Sequence, residues 1–172
     1  MIWPAEILVS MMIWINSITG LPIPDSLPTV TYTDGYTMKR LLYGCDLNPE
    51  KYPKECDKSN TDEEKIAIGL YDQHNKIIYL NSYMNRYDNI VQNSVVVHEL
   101  VHHMQFAANV PYRCFGELEK VAYETQDAYL IENGREDMFA ELNLSPLYLM
   151  MLFSCPDLSS RWGVPGEYMG TN

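Results

Sequence analysis

Residues 95–105, VVVHELVHHMQ, constrain this chain more than any other stretch. Val95, Val96, Val97, Leu100, Val101 and Met104 leave almost no polar face on a helix, so the segment belongs in the middle of a fold. It nevertheless carries three histidines and Glu99. An uncompensated glutamate in a buried helix costs several kcal/mol, so something in the fold has to offset that charge.

His98 and His102 are four residues apart and share one helical face, one turn from each other. Two imidazoles so placed can reach one ion at about 2.0–2.1 Å, the usual zinc–nitrogen distance. Glu99 is rotated away from that ion but can reach a water on its open position. This is the HExxH arrangement, two ligands and a general base. The alternative is that the histidines are ordinary core residues and Glu99 is solvated, which sits badly with so apolar a helix. His103 lies about 100° around from His102, off the metal, and is expected behind the ligands or at the surface.

A catalytic zinc usually has three protein ligands. A histidine six residues beyond His102 would serve, but that position is Ala108, and Gln105 stands where a glycine would be needed. His74 falls in a predicted turn. The candidates are therefore carboxylates of the next helix: Glu117, Glu119 and Glu124. Glu117 suits the first turn and the helix dipole. Glu124 pairs with Lys120 at i−4. Glu119 shares a face with Ala122 and Gln126, and the small Ala122 permits close helix approach, so Glu119 is the choice. Gln105, three residues past His102 on the same face, is placed to steady a ligand from behind. Tyr123 lies beside the ligand-bearing face, and core packing is the expected role for it.

Around this centre the order reads helix, strand, helix, hairpin, then helices, which is α+β. Ile7, Leu8, Met11, Met12, Ile15 and Ile18 form one face of an amphipathic helix begun near Pro4 and stopped by GLPIP. Thr29 to Asp34 alternates as a strand, and YTMKRLLYG is a short helix ending at Gly44. KIAIGLYD and NKIIYLN flank QHN as a β-hairpin, with the arm Lys76 to Asn81 as an exposed edge. Helices follow from Asp88 to Ala107, from Gly116 to Gly134, and over Ser145 to Phe153. All 172 residues are expected in one domain: a sheet region 28–81 with a loop 45–64, the metal-binding helices 88–134, and a C-terminal helix and tail 135–172.

Twelve basic against 23 acidic residues give a net charge of −11, which disfavours nucleic acid and anionic lipid as partners. The apolar stretch Ile7 to Ile18 is too short to span a bilayer and lacks the basic flank of a signal peptide. Cys45, Cys56, Cys114 and Cys155 form no CxxC pair. Cys45 and Cys56 bracket a polar loop that a disulfide could staple, which would leave Cys114 with Cys155, although spacing alone does not decide pairing. The even count favours an oxidising, extracytoplasmic compartment, periplasmic or secreted.

HELVHH, followed 17 residues after His102 by Glu119 in ELEKVAYETQ, resembles the gluzincin branch of the zincin metallopeptidases. More closely, it is similar to small bacterial zincin-like domains in which an HELVHH-Q helix precedes an E-x-x-A helix. The resemblance covers roughly half the chain, from the hairpin through the second long helix. It implies a minimal zincin-like fold, a small, mostly antiparallel sheet packed on an active-site helix and a ligand-bearing second helix. It implies one Zn2+ per chain held by His98, His102 and Glu119, Glu99 as base, and a peptide or protein substrate lying along the hairpin's edge strand. The chain lacks the NExxxD element and the separate C-terminal helical domain of larger gluzincins. A non-catalytic zinc-binding or regulatory module is the alternative that this leaves open, and a metal-free structural domain is a further one. The residues are silent on oligomeric state.

Overall fold

The computed structural model describes residues 3–45 and 67–155. The first helix, α1 (Ala5–Thr19), starts at Pro4 and ends at Gly20, whose φ of 73° lets its N–H close back on the Asn16 carbonyl. It buries Leu8, Met11, Met12 and Ile15, while Ile7 and Ile18 lie at the rim of that stripe and stay exposed. Strand β1 (Thr29–Thr33) leads into α2 (Gly35–Leu42), which Asp34 caps by accepting from the Thr37 N–H. The chain then forms β2 (Gly69–Asp72) and β3 (Ile77–Asn81), joined by a turn in which the Asp72 carboxylate accepts the His74 and Asn75 N–H groups.

The three strands form one mixed sheet in the order β1-β3-β2. β2 and β3 pair antiparallel as the expected hairpin, with Tyr71 opposite Ile78, whereas β1 runs parallel to β3, with Val30 opposite Ile78. This corrects two expectations. The sheet is not mostly antiparallel, and the arm Lys76 to Asn81 is not an edge but carries the central strand, with Ile78 and Leu80 fully buried. Alternation within a strand reports which face is covered. It does not report which partner lies on either side, and the parallel partner arrives only through the long crossover from β1. Among the described residues the edges are β1 and β2.

A 3-10 turn, Ser82–Arg86, delivers the chain to α3 (Asn89–Ala107), capped by Asp88 on the N–H groups of Ile90 and Val91. Every residue of α3 from Ser94 to Gln105 is buried, as a helix apolar all round requires. The sheet and α1 pack on it, and α4 (Phe115–Glu132) runs alongside, with small Ala122 fully buried between neighbours. Two short helices, α5 (Met138–Glu141) and α6 (Pro146–Phe153), complete the described chain. The fold is thus α+β, and α3 is its axis.

α6 is held against the start of α4 in two ways. Cys114 and Cys155 form a disulfide, with Cα atoms 5.7 Å apart across 41 residues of sequence. A Cβ on Gly116 would collide with the backbone carbonyl of Leu152, so only glycine permits that approach. Cys45 is likewise disulfide-bonded, and Cys56 lies outside the described residues, as does the expected loop 45–64 beyond its first residue.

Candidate metal centre

His98 and His102 on α3 and Glu119 on α4 converge into one group of three donors. The two Nε2 atoms lie 3.2 Å apart, and Glu119 places one carboxylate oxygen 3.4 Å from His98 Nε2 and the other 3.2 Å from His102 Nε2. Two ligands of a tetrahedral zinc at 2.0–2.1 Å stand about 3.3 Å apart, so the two Nε2 atoms are spaced as neighbouring ligands of one ion, and each meets a different Glu119 oxygen at a similar distance. The side chains are buried, with 8%, 5% and 9% of each residue exposed in that order.

The backs of both imidazoles are held by amides. His98 Nδ1 faces Gln126 Oε1 at 3.1 Å, and His102 Nδ1 faces Gln105 Oε1 at 3.0 Å. Each amide is oriented from its other end: Gln105 Nε2 donates to the Leu118 carbonyl, and Gln126 Nε2 donates to Ser94 Oγ, whose own proton goes to the Val91 carbonyl. Amide oxygens only accept, so both rings carry a proton on Nδ1 and aim Nε2 at Glu119, as a lone pair whenever the ring is neutral. Two lone pairs and a carboxylate facing one another in a dry interior need a cation between them. The donor set, two nitrogens and one oxygen with oriented partners behind, fits a divalent transition metal.

The electrostatics point the same way. Burial pushes the His102 imidazolium down, but the Glu119 carboxylate, then Glu99 and Gln105, outweigh it and lift His102 to about 9. Burial pushes Glu119 up, and His102 and His98 pull it well below the usual carboxylate range. The pocket thus favours a positive charge beside Glu119, from a proton or from a metal.

Glu99 is adjacent but stands outside the donor set, as its rotation from His98 requires. It is 6% exposed, and burial raises its carboxyl above the ordinary range, with the Glu119 charge acting in the same direction. His98, His102 and a hydrogen bond from the Tyr71 backbone N–H oppose that rise. The rival carboxylates lie elsewhere: Glu117 accepts the Arg113 N–H at 2.8 Å and its guanidinium at 2.6 Å, and exposed Glu124 meets Lys120 at 3.8 Å. His74 sits exposed in the hairpin turn.

Three sets of contacts come only from the packed fold. Gln126 shares the Glu119 face, and that spacing was the only sign of its bond to His98. Aromatic rings wall the donors: Phe115 stacks on His102 at 5.8 Å, and Tyr123 meets His98 edge-on at 4.5 Å. His103 is neither exposed nor a ligand. It is 1% exposed, with Nε2 2.8 Å from the Ser26 carbonyl and Nδ1 2.8 Å from the Tyr71 hydroxyl.

A family model covers residues 3–156, nearly all of the described chain and both sides of this centre. The chain belongs to the DUF6647 family. That family is described as a domain of unknown function, so membership names no chemistry for the centre. No curated protein and no solved structure matches the chain. For this DUF6647 domain, the case for function rests on the geometry of its own side chains.

Proposed function

We propose that the chain is a zinc-dependent peptide hydrolase. The observation that carries this is the set of 3.2–3.4 Å separations among His98, His102 and Glu119, with Glu99 beside but outside them. His98, His102 and Glu119 would hold the ion. Bound zinc supplies a Lewis acid that polarises a carbonyl and brings the pKa of a coordinated water to about 7. Glu99, next to the ligands and made a stronger base in its carboxylate form by burial, would take the proton of the attacking water and pass it to the departing amine. Gln105 and Gln126 keep each imidazole in the Nδ1–H form, so that Nε2 stays free to bind. The Cys114–Cys155 disulfide supports an oxidising compartment, periplasmic or secreted, and no described helix is long and apolar enough to cross a membrane.

A second reading, a zinc-binding module that cleaves nothing, is favoured by one observation. No donor nor Glu99 is more than 9% exposed, which leaves little room for a bulky substrate. Two measurements separate the readings. Elemental analysis of the purified protein is expected to find one zinc per chain in the parent and in Glu99→Gln, and none in His98→Ala. A broad peptide library is expected to be cut by the parent and to lose about 100-fold or more of that rate in Glu99→Gln. Zinc without cleavage in the parent would establish the binding module instead.

A further inference from the structure

We infer that His103, the third histidine of HELVHH, is a positioning residue that acts on Glu99 through strand β2. The inference rests on the hydrolase reading of the same centre and adds a second layer to it. The Ser26 carbonyl can only accept, so His103 Nε2–H donates to it at 2.8 Å, leaving Nδ1 to accept the Tyr71 hydroxyl proton at 2.8 Å. The Tyr71 hydroxyl keeps that proton, because burial, then the charge of Asp72, pushes it up to about 12. Tyr71 is also gripped as a ring, edge-on to His103 at 5.4 Å and stacked on Phe106 at 6.2 Å. The far end of the strut is fastened too, since Lys76 donates to Ser26 Oγ at 2.9 Å.

Tyr71 meets Glu99 by a different group. Its backbone N–H faces the Glu99 carboxylate and favours the charged form. Two residues earlier on β2, Gly69 lies so close that a Cβ would fall on Glu99 Oε1 and come within 2.8 Å of Val95 Cγ1. The Glu99 carboxylate is therefore wedged between the Gly69 backbone and the Tyr71 N–H, both on β2. That strand is only four residues long and pairs with one neighbour among the described residues. Beyond its ladder to β3, so short a strand relies on side-chain anchors, and the His103–Tyr71 bond is a polar side-chain tie from it to α3. Without it, β2 and the Glu99 carboxylate lose a shared reference to the helix that bears the metal ligands.

The test uses full-length, zinc-loaded protein and acetohydroxamate, a zinc ligand with an acidic proton that a neighbouring carboxylate accepts, with affinity read by calorimetry. Tyr71→Phe cuts the bond to His103 but keeps the ring and the backbone N–H. Gly69→Ala pushes directly on Glu99. Both are expected to keep full zinc. Affinity should fall about fivefold in Tyr71→Phe and about tenfold or more in Gly69→Ala, toward the level of Glu99→Gln. In the Glu99→Gln background, Tyr71→Phe should have no further effect, because the two act as one unit. Where turnover is measurable, Tyr71→Phe should lower kcat with little change in KM. A parent that binds zinc and acetohydroxamate, with Tyr71→Phe unchanged or with its loss persisting in Glu99→Gln, overturns this inference and spares the hydrolase reading. A parent that takes up no zinc overturns both.

Discussion

Helix α3 presents two polar faces inside one apolar core, and they are built on opposite electrostatic plans. Toward α4, His98 and His102 face Glu119 and drive its carboxyl far down, so this face keeps a fixed negative charge and calls for a cation. Toward β2, Glu99 faces a glycine and a single backbone N–H, and burial drives its carboxyl up. The same residue type is thus held charged on one face and pushed toward its neutral form on the other. Both carboxylates feel the same two imidazoles, but only Glu119 is hydrogen-bonded to them, so burial prevails at Glu99 and not at Glu119.

The largest effect that would break this comparison is expected on the α4 side. Glu119→Ala should abolish stoichiometric zinc, measured by elemental mass spectrometry, whereas Glu124→Ala should keep it; retention of zinc in Glu119→Ala would move the third ligand elsewhere. The disulfide that anchors the start of α4 comes next. For the 41-residue separation of Cys114 and Cys155, chain entropy predicts about 4 kcal/mol lost in the double serine variant, read as a lower denaturation midpoint.

Gln105→Ala and Gln126→Ala should each weaken zinc 10–100-fold by competition titration, because the Nδ1 proton loses its acceptor. Unaltered affinity would show that packing alone orients the rings. The β2 side is sharpened by Glu99→Gln, which removes a buried charge without touching a ligand. It should leave zinc intact and hold or raise Tm, and a fall in Tm would mean that the charge of Glu99 is itself stabilising.

Acid–base behaviour gives a smaller effect. In chelated protein His102 sits at about 9, above the 6.5 of an ordinary histidine. Its pairing with Glu119 then stabilises the fold fully below pH 6.5, and that share is lost as pH rises toward 9. Chelated protein should therefore lose Tm across this window, and zinc-loaded protein should not, since the metal has displaced the proton. The smallest effect is expected from Lys120→Ala, whose exposed pair with Glu124 is worth about 0.5 kcal/mol or less.

Much of the centre is legible in the chain because it is local. A spacing of four puts His98 and His102 on one face of any helix, and the unbroken apolar run around them demands burial. Glu119 could be chosen over Glu117 and Glu124 by face alone, and Gln105 by its offset from His102. The long helices and the hairpin follow from similar short-range arguments, whereas the pairing of Cys114 with Cys155 needed the fold.

What joins residues distant in sequence needed the packed fold. The bond from Gln126 to His98 spans 28 positions, that from Tyr71 to His103 spans 32, and that from His103 to Ser26 spans 77. The parallel partner of β3 is set by a crossover whose ends carry no mark of each other, which is why the central strand reads as an edge. By itself the sequence determined that a buried helix would carry two imidazoles and a carboxylate, because helical periodicity is a property of the backbone. Only the tertiary structure decided which groups stand behind those side chains, and so which glutamate keeps its charge and which is pushed toward its neutral form.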